Sequence, residues 1–421
     1  MNPKDKQTRF FYGWYIVGAC VLITLYTGGV VHFGFTAVFE PIAKEFSWTY
    51  AQVSLASSLR GLEMGLLAPF MGFLVDRYGP RKLIFLGSFV TFAGFILLSR
   101  TNSLLTFYIS FGLLAVGMST CAGTVLMAPI ANWFQRRAGI AMGIVASGFG
   151  LGGLLVPVVT VLIDTFEWRT AMFVVGIGML VIVVPLSLLV RHKPEPYGYK
   201  PDGERIDLGA NINLQNLDPI DEINLTVRQA VKSRTFWQLG FSSMCHAFVV
   251  GAVVTHLMPY LSSVNIDRTT SSIVAFILPS MSITGRLGSG WLAARYGSRH
   301  VFSAGFLLMT IGVFVFAYVS NQILWLVIPF IITFSTGWGL SVTSRLSFMR
   351  ESFGRANFGK IMGFISGMMM VGNVTGAPLA GWIFDTWDSY KGAWFVCSAV
   401  AIMGAILIHT MPSSYISKRR R

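Results

Sequence analysis

The sequence predicts an all-α membrane protein with twelve transmembrane helices in two pseudo-symmetric six-helix bundles. Two observations lead to this fold class. The 421 residues are 54% hydrophobic and only 12% charged, whereas a typical soluble protein carries about 25% charged residues. The apolar residues also form continuous blocks of about 20 residues, which is the length at which an α-helix crosses a bilayer.

The apolar blocks are separated by polar loops. They do not alternate apolar with polar residues, as the strands of a membrane barrel would. The predicted helices span residues 12–38, 50–75, 82–100, 104–130, 139–163, 170–190, 236–261, 270–293, 300–319, 323–346, 360–384 and 392–411.

The basic residues are distributed unevenly among the predicted loops. If the N-terminus is cytoplasmic, the outer loops contain only Lys44, Arg100, Arg169, Arg268 and Lys391. Arg60 and Arg286 lie within helices, and the other basic residues fall on the cytoplasmic side. Because positive charge accumulates on the cytoplasmic side of membrane proteins, we expect both termini there and a multi-pass chain in the plasma (cytoplasmic) membrane. The net charge of +14 therefore indicates topology and not a nucleic-acid partner.

The two halves of the sequence resemble each other. The run Gly72–Lys82 recurs 218 residues later at Gly290–His300, with Gly79 matched by Gly297. Two similar halves with a binding site between them near the bilayer midplane are typical of secondary transporters. The predicted units are an N-terminal bundle of residues 1–191, a cytoplasmic linker of 192–235 and a C-terminal bundle of 236–421.

Arg286 is a lone cation in an apolar helix, where a charge costs a few kcal/mol or more. It lies eight residues before Ala294 at the predicted cytoplasmic end, which is about 12 Å along the helix axis. Half of the hydrocarbon core is about 15 Å thick, so Arg286 is expected near the midplane. Arginine stays charged and binds carboxylates through two hydrogen bonds. We predict that Arg286 binds a small organic anion; the alternative is a structural arginine paired with an acid or with helix carbonyls.

Several motifs resemble a known family. The run Gly72–Lys82 resembles the G-x-L-x-D-R-x-G-x-R-K loop of the major facilitator superfamily. Residues 12–14, 133–148 and 226–237 are similar to the monocarboxylate and oxalate–formate branch. The resemblance implies a substrate-binding arginine in the eighth helix, in agreement with the interpretation of Arg286.

The sequence departs from this branch at three places. Ser282, one turn before Arg286 and on the same face, stands where animal members often have an aspartate involved in proton coupling. Their first-helix lysine is absent, and the eleventh-helix lysine of the oxalate exchangers is missing around Asn373. One midplane cation suits one carboxylate, so monocarboxylates are favoured over oxalate.

Other polar residues in the helices have two interpretations each. His256 lies in the outer half of the seventh helix, where the corresponding family position contacts substrate in some bacterial members. Histidine titrates near physiological pH, so His256 or His32 could bind substrate or carry protons. Ser282 and Asn373 are further candidates for substrate binding. The alternative for each is a structural hydrogen bond between helices.

Two groups of charged residues are candidates for gates. Arg60 and Glu63 are three residues apart on one helix and can pair; an outer gate, a proton-accepting Glu63 and a structural ion pair are all open. Asp76, Arg77 and Arg81 are predicted to form a charge network at the cytoplasmic gate, since this loop in the superfamily helps to stabilise the outward-open state.

The predicted function is secondary active transport of small monocarboxylates, such as lactate or pyruvate, by alternating access with proton coupling. An oxalate–formate type of antiporter and an efflux carrier are the alternatives. The partners expected are a monocarboxylate, protons or a counter-anion and the lipid bilayer, with the monomer as the functional unit. An enzyme is not expected, because no metal-ligand or nucleophile pattern is present, and no cofactor is implied.

Overall fold

The computed structural model describes residues 11–62, 66–121, 123–134, 138–197, 199, 202, 225–354 and 358–411. Within these ranges the chain is almost entirely helical and contains no β-strand. The N-terminal helices are α1 (Tyr12–Thr27), α2 (Phe35–Phe46), α3 (Tyr50–Leu62), α4 (Ala68–Tyr78), α5 (Pro80–Ser99), α6 (Leu104–Thr120), α7 (Gly123–Trp133), α8 (Ala138–Leu151), α9 (Leu155–Gly178) and α10 (Val184–Leu189). The later helices are α11 (Val227–Lys232), α12 (Arg234–Ser263), α13 (Arg268–Tyr296), α14 (Ser298–Phe316), α15 (Val327–Phe353), α16 (Phe358–Trp387) and α17 (Lys391–His409).

Eight stretches of the described chain are helical, long and apolar enough to cross a membrane. The stretch Ile140–Leu189 contains 50 residues and is interrupted at Glu167, whose backbone is not helical. The number of twelve spans therefore remains a prediction. The eight stretches are Tyr12–Phe46, Pro80–Ser99, Leu104–Trp133, Ile140–Leu189, Arg234–Ser263, Ser298–Phe316, Asn321–Phe353 and Lys391–His409.

The helices end in two opposite regions, which we call the linker end and the far end. At the linker end the Tyr12 hydroxyl donates to the carbonyl of Leu189, and Leu225 within the predicted linker donates its N–H to the carbonyl of Phe353. At the far end Arg169 pairs with Glu45. Because consecutive long helices run in opposite directions, α12 and α16 run from the linker end to the far end, while α13 and α15 run back.

The repeated glycine motif has the same local structure in both copies. Gly79 ends α4 with φ 78°, and Gly297 ends α13 with φ 85°. Both angles lie in the left-handed region, which favours glycine. The next helix begins directly after each glycine, at Pro80 and at Ser298. The glycine therefore allows the sharp reversal at which the two basic loops turn.

Helix α13 begins at a side-chain cap. The Asp267 carboxylate accepts the N–H of Thr270 at 2.8 Å, which satisfies one of the backbone donors left free at a helix start. The same N–H lowers the pKa of the Asp267 carboxyl below its usual value.

Helices α13 and α15 pack closely through two glycines. A methyl group on Gly285 would collide with the carbonyl of Thr336, and one on Gly339 would collide with the carbonyl of Ser282. Small residues let helix backbones approach in this way in membrane bundles. This contact fixes α13 and α15 next to each other at the level of Arg286.

Candidate functional site

Arg286 lies on α13 where this helix faces the N-terminal helices. Its Nη1 donates to the carbonyl of Ala146 on α8 at 3.1 Å, and its Nε is buried without a partner. Arg286 forms no ion pair with an acid among the described residues. A backbone carbonyl is a weaker acceptor for a guanidinium than a carboxylate. The side chain is therefore placed at the seam between the two sets of helices with donors available for an anion.

Arg345 is a second buried cation, which the sequence analysis placed among the cytoplasmic basic residues. The predicted helix ended at residue 346, but α15 continues to Phe353, so Arg345 lies two turns inside it. Its side chain is only 6% exposed. Arg345 is therefore a second buried cation of the C-terminal helices, and the argument that one cation suits one carboxylate considered only Arg286.

His246 on α12 lies close enough to both arginines to interact with them electrostatically. It is 4% exposed, and neither ring nitrogen makes a hydrogen bond of ordinary geometry to a described residue, although the Trp338 backbone lies close enough to act on the ring. Its ring approaches Phe306 with 6.1 Å between the ring centroids. The sequence does not distinguish His246 from a structural residue, because a histidine in an apolar helix is usually hydrogen bonded.

His256 is fully buried and hydrogen bonded on both ring nitrogens. Its Nε2 is 2.8 Å from the carbonyl of Ala377 and 2.9 Å from the Ser54 hydroxyl. Its Nδ1 is 2.9 Å from the Tyr390 hydroxyl. Since a carbonyl can only accept, Nε2 carries the proton and Nδ1 accepts from Tyr390. His256 is ten residues beyond His246 on α12, about 15 Å toward the far end, so this conformation places it in an interhelical network away from Arg286.

The other predicted substrate-binding residues lie at helix contacts. Ser282 is fully buried between α13 and α15, and its hydroxyl donates to the carbonyl of Pro279 in its own helix. Asn373 on α16 lies where α3 and α12 approach, beside Gly61 and Gly251. These positions are compatible with a structural role, and substrate binding by either residue stays a prediction.

His32 lies in an aromatic cluster at the seam. Its ring is 5.1 Å from the ring of Phe149 on α8. The neighbouring Phe33 contacts Trp338 on α15 with 6.4 Å between the centroids. His32 is half-buried, so its ring remains reachable from the interior of the seam.

The predicted gate residues are only partly described. The side chains of Arg60 and Asp76 and the whole of Glu63 lie outside the described residues. Arg77 and Arg81 are exposed at the linker end, with the Arg77 guanidinium 5.4 Å from the centre of the Tyr78 ring. The charge network predicted for this loop stays a prediction.

The far end is closed by a carboxylate that caps a helix across the seam. The Asp385 oxygens accept the N–H groups of Tyr50 and Ala51, each at 2.8 Å. Thr49 and Gln52 complete the start of α3 by exchanging side-chain and backbone hydrogen bonds. The first free donors of α3 are thus satisfied in part by α16, which belongs to the C-terminal helices.

Arg268 closes the far end at a second point. Its Nε lies 2.7 Å from the Asp164 carboxylate on α9, and its Nη2 donates to the carbonyl of Ala37 on α2 at 2.7 Å. The N–H of Met258 also donates to the Thr36 hydroxyl at 3.2 Å. The far end is therefore held shut by polar contacts between the two sets of helices.

Comparison with known proteins agrees with this architecture. The model of the Major Facilitator Superfamily matches residues 15–359 and 258–418. The chain therefore belongs to the major facilitator superfamily.

Curated relatives match almost the whole chain. Monocarboxylate transporter 12 of Mus musculus is 26% identical over 418 residues, covering 94% of this chain and 85% of the relative. Monocarboxylate transporter 13 of Bos taurus is 25% identical over 413 residues, covering 95% and 89%. The MFS-type transporter YcxA of Bacillus subtilis (strain 168) is 22% identical over 385 residues, covering 87% of each chain.

A solved structure shares the fold at low sequence identity. It is the crystal structure of a bacterial homolog to the human lysosomal transporter Spinster, in an inward-facing and occupied conformation. It superimposes with a TM-score of 0.76 at 14% identity, over 96% of this chain and 98% of that chain. At this identity the likeness shows the fold alone.

Proposed function

We propose that this chain is a secondary transporter that carries small monocarboxylates by alternating access. The single observation that carries the proposal is Arg286, a guanidinium at the seam between the two sets of helices, with no acid to neutralise it among the described residues. The names of the relatives, monocarboxylate transporters 12 and 13, support the same substrate class. In this proposal a substrate carboxylate replaces the carbonyl of Ala146 as the acceptor for Arg286.

The moving units in this proposal are residues 1–191 and 236–421, joined by the linker 192–235. If the far end faces outward, as the distribution of basic residues predicts, the conformation described above is closed to the outside. Outward opening would then break the Asp385 cap on α3 and the contacts of Arg268, while Arg286 would stay at the seam. We propose a monomer in the plasma membrane as the working unit.

Transport of an anion into a cell works against the membrane potential. The cost is about 2.3 kcal/mol per charge for each 100 mV, so a proton or an exchanged anion must accompany the substrate. His32 and Glu63 are the candidates for a proton carrier, with His32 favoured by its half-buried position at the seam. Exchange against a second anion is the alternative coupling.

The proposal can be tested with purified protein in liposomes. Uptake of labelled lactate and pyruvate is measured under three conditions: with an inward proton gradient, without a gradient, and into liposomes that contain unlabelled acid. Proton symport predicts uptake that requires the gradient, whereas exchange predicts uptake that requires the internal acid. Arg286→Ala is expected to abolish uptake, and Arg295→Ala, which removes an exposed arginine at the end of the same helix, is the matched control. Normal uptake by Arg286→Ala would contradict the proposal.

A further inference from the structure

Among the described residues, Arg345 is a buried cation without an anionic partner. Its Nη1 donates to the Met369 sulfur at 2.9 Å, and its Nε has no partner. A thioether sulfur is a weak acceptor, so this contact does little to compensate a desolvated guanidinium. Ionisable residues inside membrane bundles are expensive and mark functional sites by default. Arg345 therefore calls for an anion that the described part of the chain does not supply.

His246 adds a buried imidazole near this cation, and neither of its nitrogens makes a hydrogen bond of ordinary geometry to a described residue. It is nearly inaccessible, and both arginines act on it electrostatically. A neutral imidazole offers one donor and one acceptor, and buried polar groups of this kind are usually hydrogen bonded. Unpartnered donors on Arg345, His246 and Arg286 thus occur in one region of the protein, with two positive charges and no described carboxylate among them.

The positions of the two arginines follow from the close contact of α13 and α15. Gly285 and Gly339 mark the same level on these helices, which both run toward the linker end. Arg286 follows Gly285 by one residue, and Arg345 follows Gly339 by six. The Cα atoms of the two arginines are therefore separated by about 8 Å along the helix axis. Two arginine side chains separated in this way are suited to the two ends of one short molecule.

We propose that Arg345 and His246 form a second anion-binding position next to Arg286, and that the site prefers short substrates with two acidic groups. This inference rests on the proposed function, because it shares Arg286 with the transport site, and it extends the proposed substrates from monocarboxylates to short dicarboxylates. A dicarboxylate balances both guanidinium charges, whereas a monocarboxylate leaves Arg345 unpaired. His246 donates one further hydrogen bond to the second carboxylate.

Succinate and butyrate provide the test, because they share a four-carbon chain and differ in one carboxylate. Binding to the purified full-length chain is measured by isothermal titration and by competition for uptake in liposomes. We expect succinate to bind about tenfold more tightly than butyrate, which corresponds to one charge-assisted hydrogen-bonded contact. Monomethyl succinate, in which an ester removes the second charge, is expected to bind like butyrate. This comparison needs no variant protein.

The variants assign the second position to Arg345. Arg345→Gln is expected to reduce succinate affinity about tenfold and to leave butyrate affinity unchanged. Arg286→Gln is expected to weaken the binding of both succinate and butyrate. Arg350→Gln, which removes an exposed arginine from the same helix, should preserve the preference for succinate.

The outcomes separate this inference from the proposed function. If wild-type protein binds neither acid, the proposed function fails. If butyrate binds through Arg286 but succinate and its monomethyl ester bind equally well, only the second position is refuted. A preference for succinate that survives Arg345→Gln would also overturn it.

Discussion

The cap that Asp385 places on α3 gives a quantitative test of how the far end is closed. Asp385→Asn replaces one carboxylate oxygen with an NH2 group, so one of the N–H groups of Tyr50 and Ala51 loses the oxygen that now accepts it. It also removes a negative charge from a helix N-terminus. A hydrogen bond to a charged group contributes about 1.5–3 kcal/mol, but Asp385 is exposed, so we take the typical cost of a lost helix cap, about 1 kcal/mol.

This cost predicts a shift of about fivefold from the closed toward the open far end. Spin labels on Asn102→Cys and Asn321→Cys, which are exposed at the far end on the two sets of helices, report the distance between them in lipid nanodiscs. The four native cysteines are buried, which favours labelling of the introduced sites. Asp385→Asn is expected to increase the population with the longer distance about fivefold relative to wild type.

Asp388→Asn is the matched control for this experiment. It removes the same charge just beyond the end of α16, and among the described residues Asp388 does not cap the next helix, α17, whose N-cap residue is Tyr390. Its φ of 48° is tolerated by asparagine. An equal shift in both variants would mean that charge alone matters, and no shift in Asp385→Asn would refute the cap as a closing contact.

Three further predictions concern the buried network, the glycine contact and the second far-end contact. His256→Leu leaves the Tyr390 hydroxyl unpartnered and is expected to cost about 1–3 kcal/mol, seen as a lower melting temperature; weaker substrate binding at an unchanged melting temperature would instead indicate that His256 binds substrate. Gly285→Ala is expected to destabilise by about 1–3 kcal/mol in thermal unfolding, whereas Gly288→Ala, with no atom within 4 Å of the added methyl group, should not destabilise; equal melting temperatures would contradict the close packing. Arg268→Gln is expected to shift the free energy between the closed and the open far end by about 0.5–1 kcal/mol toward the open state, as measured in the spin-label assay. The difference from wild type should shrink at high salt; a difference that does not change with salt would argue against the ion pair of Arg268.

The helices were largely predictable because each one needs an apolar stretch that is long enough to cross the lipid. The predicted helix 236–261 corresponds to α12, Arg234–Ser263, and 270–293 corresponds to α13, Arg268–Tyr296. Hydropathy locates the apolar part of a helix, because that part must match the bilayer core. The turn glycines at 79 and 297 were also readable, because the basic motif repeats around them.

The end of a helix beyond its apolar part was not predictable in the same way. Apolar residues stop near 346, but α15 continues for seven residues to Phe353, and this extension moves Arg345 from the predicted cytoplasmic end of the helix to a position two turns inside it. The partners of His256 were equally hidden, because Ser54, Ala377 and Tyr390 come from distant parts of the chain. No local pattern records such contacts, since they depend on how the helices pack.

The cap that Asp385 places on α3 also has a consequence for the synthesis of the chain. Tyr50 leaves the ribosome long before its hydrogen-bond acceptor, which lies 335 residues further along the sequence. Until α16 has been inserted, the first amides of α3 must therefore bond to water at the surface of the bilayer. A nascent chain arrested before Asp385 would carry this helix start in an uncapped form, and its amide protons would exchange faster than those of the finished protein.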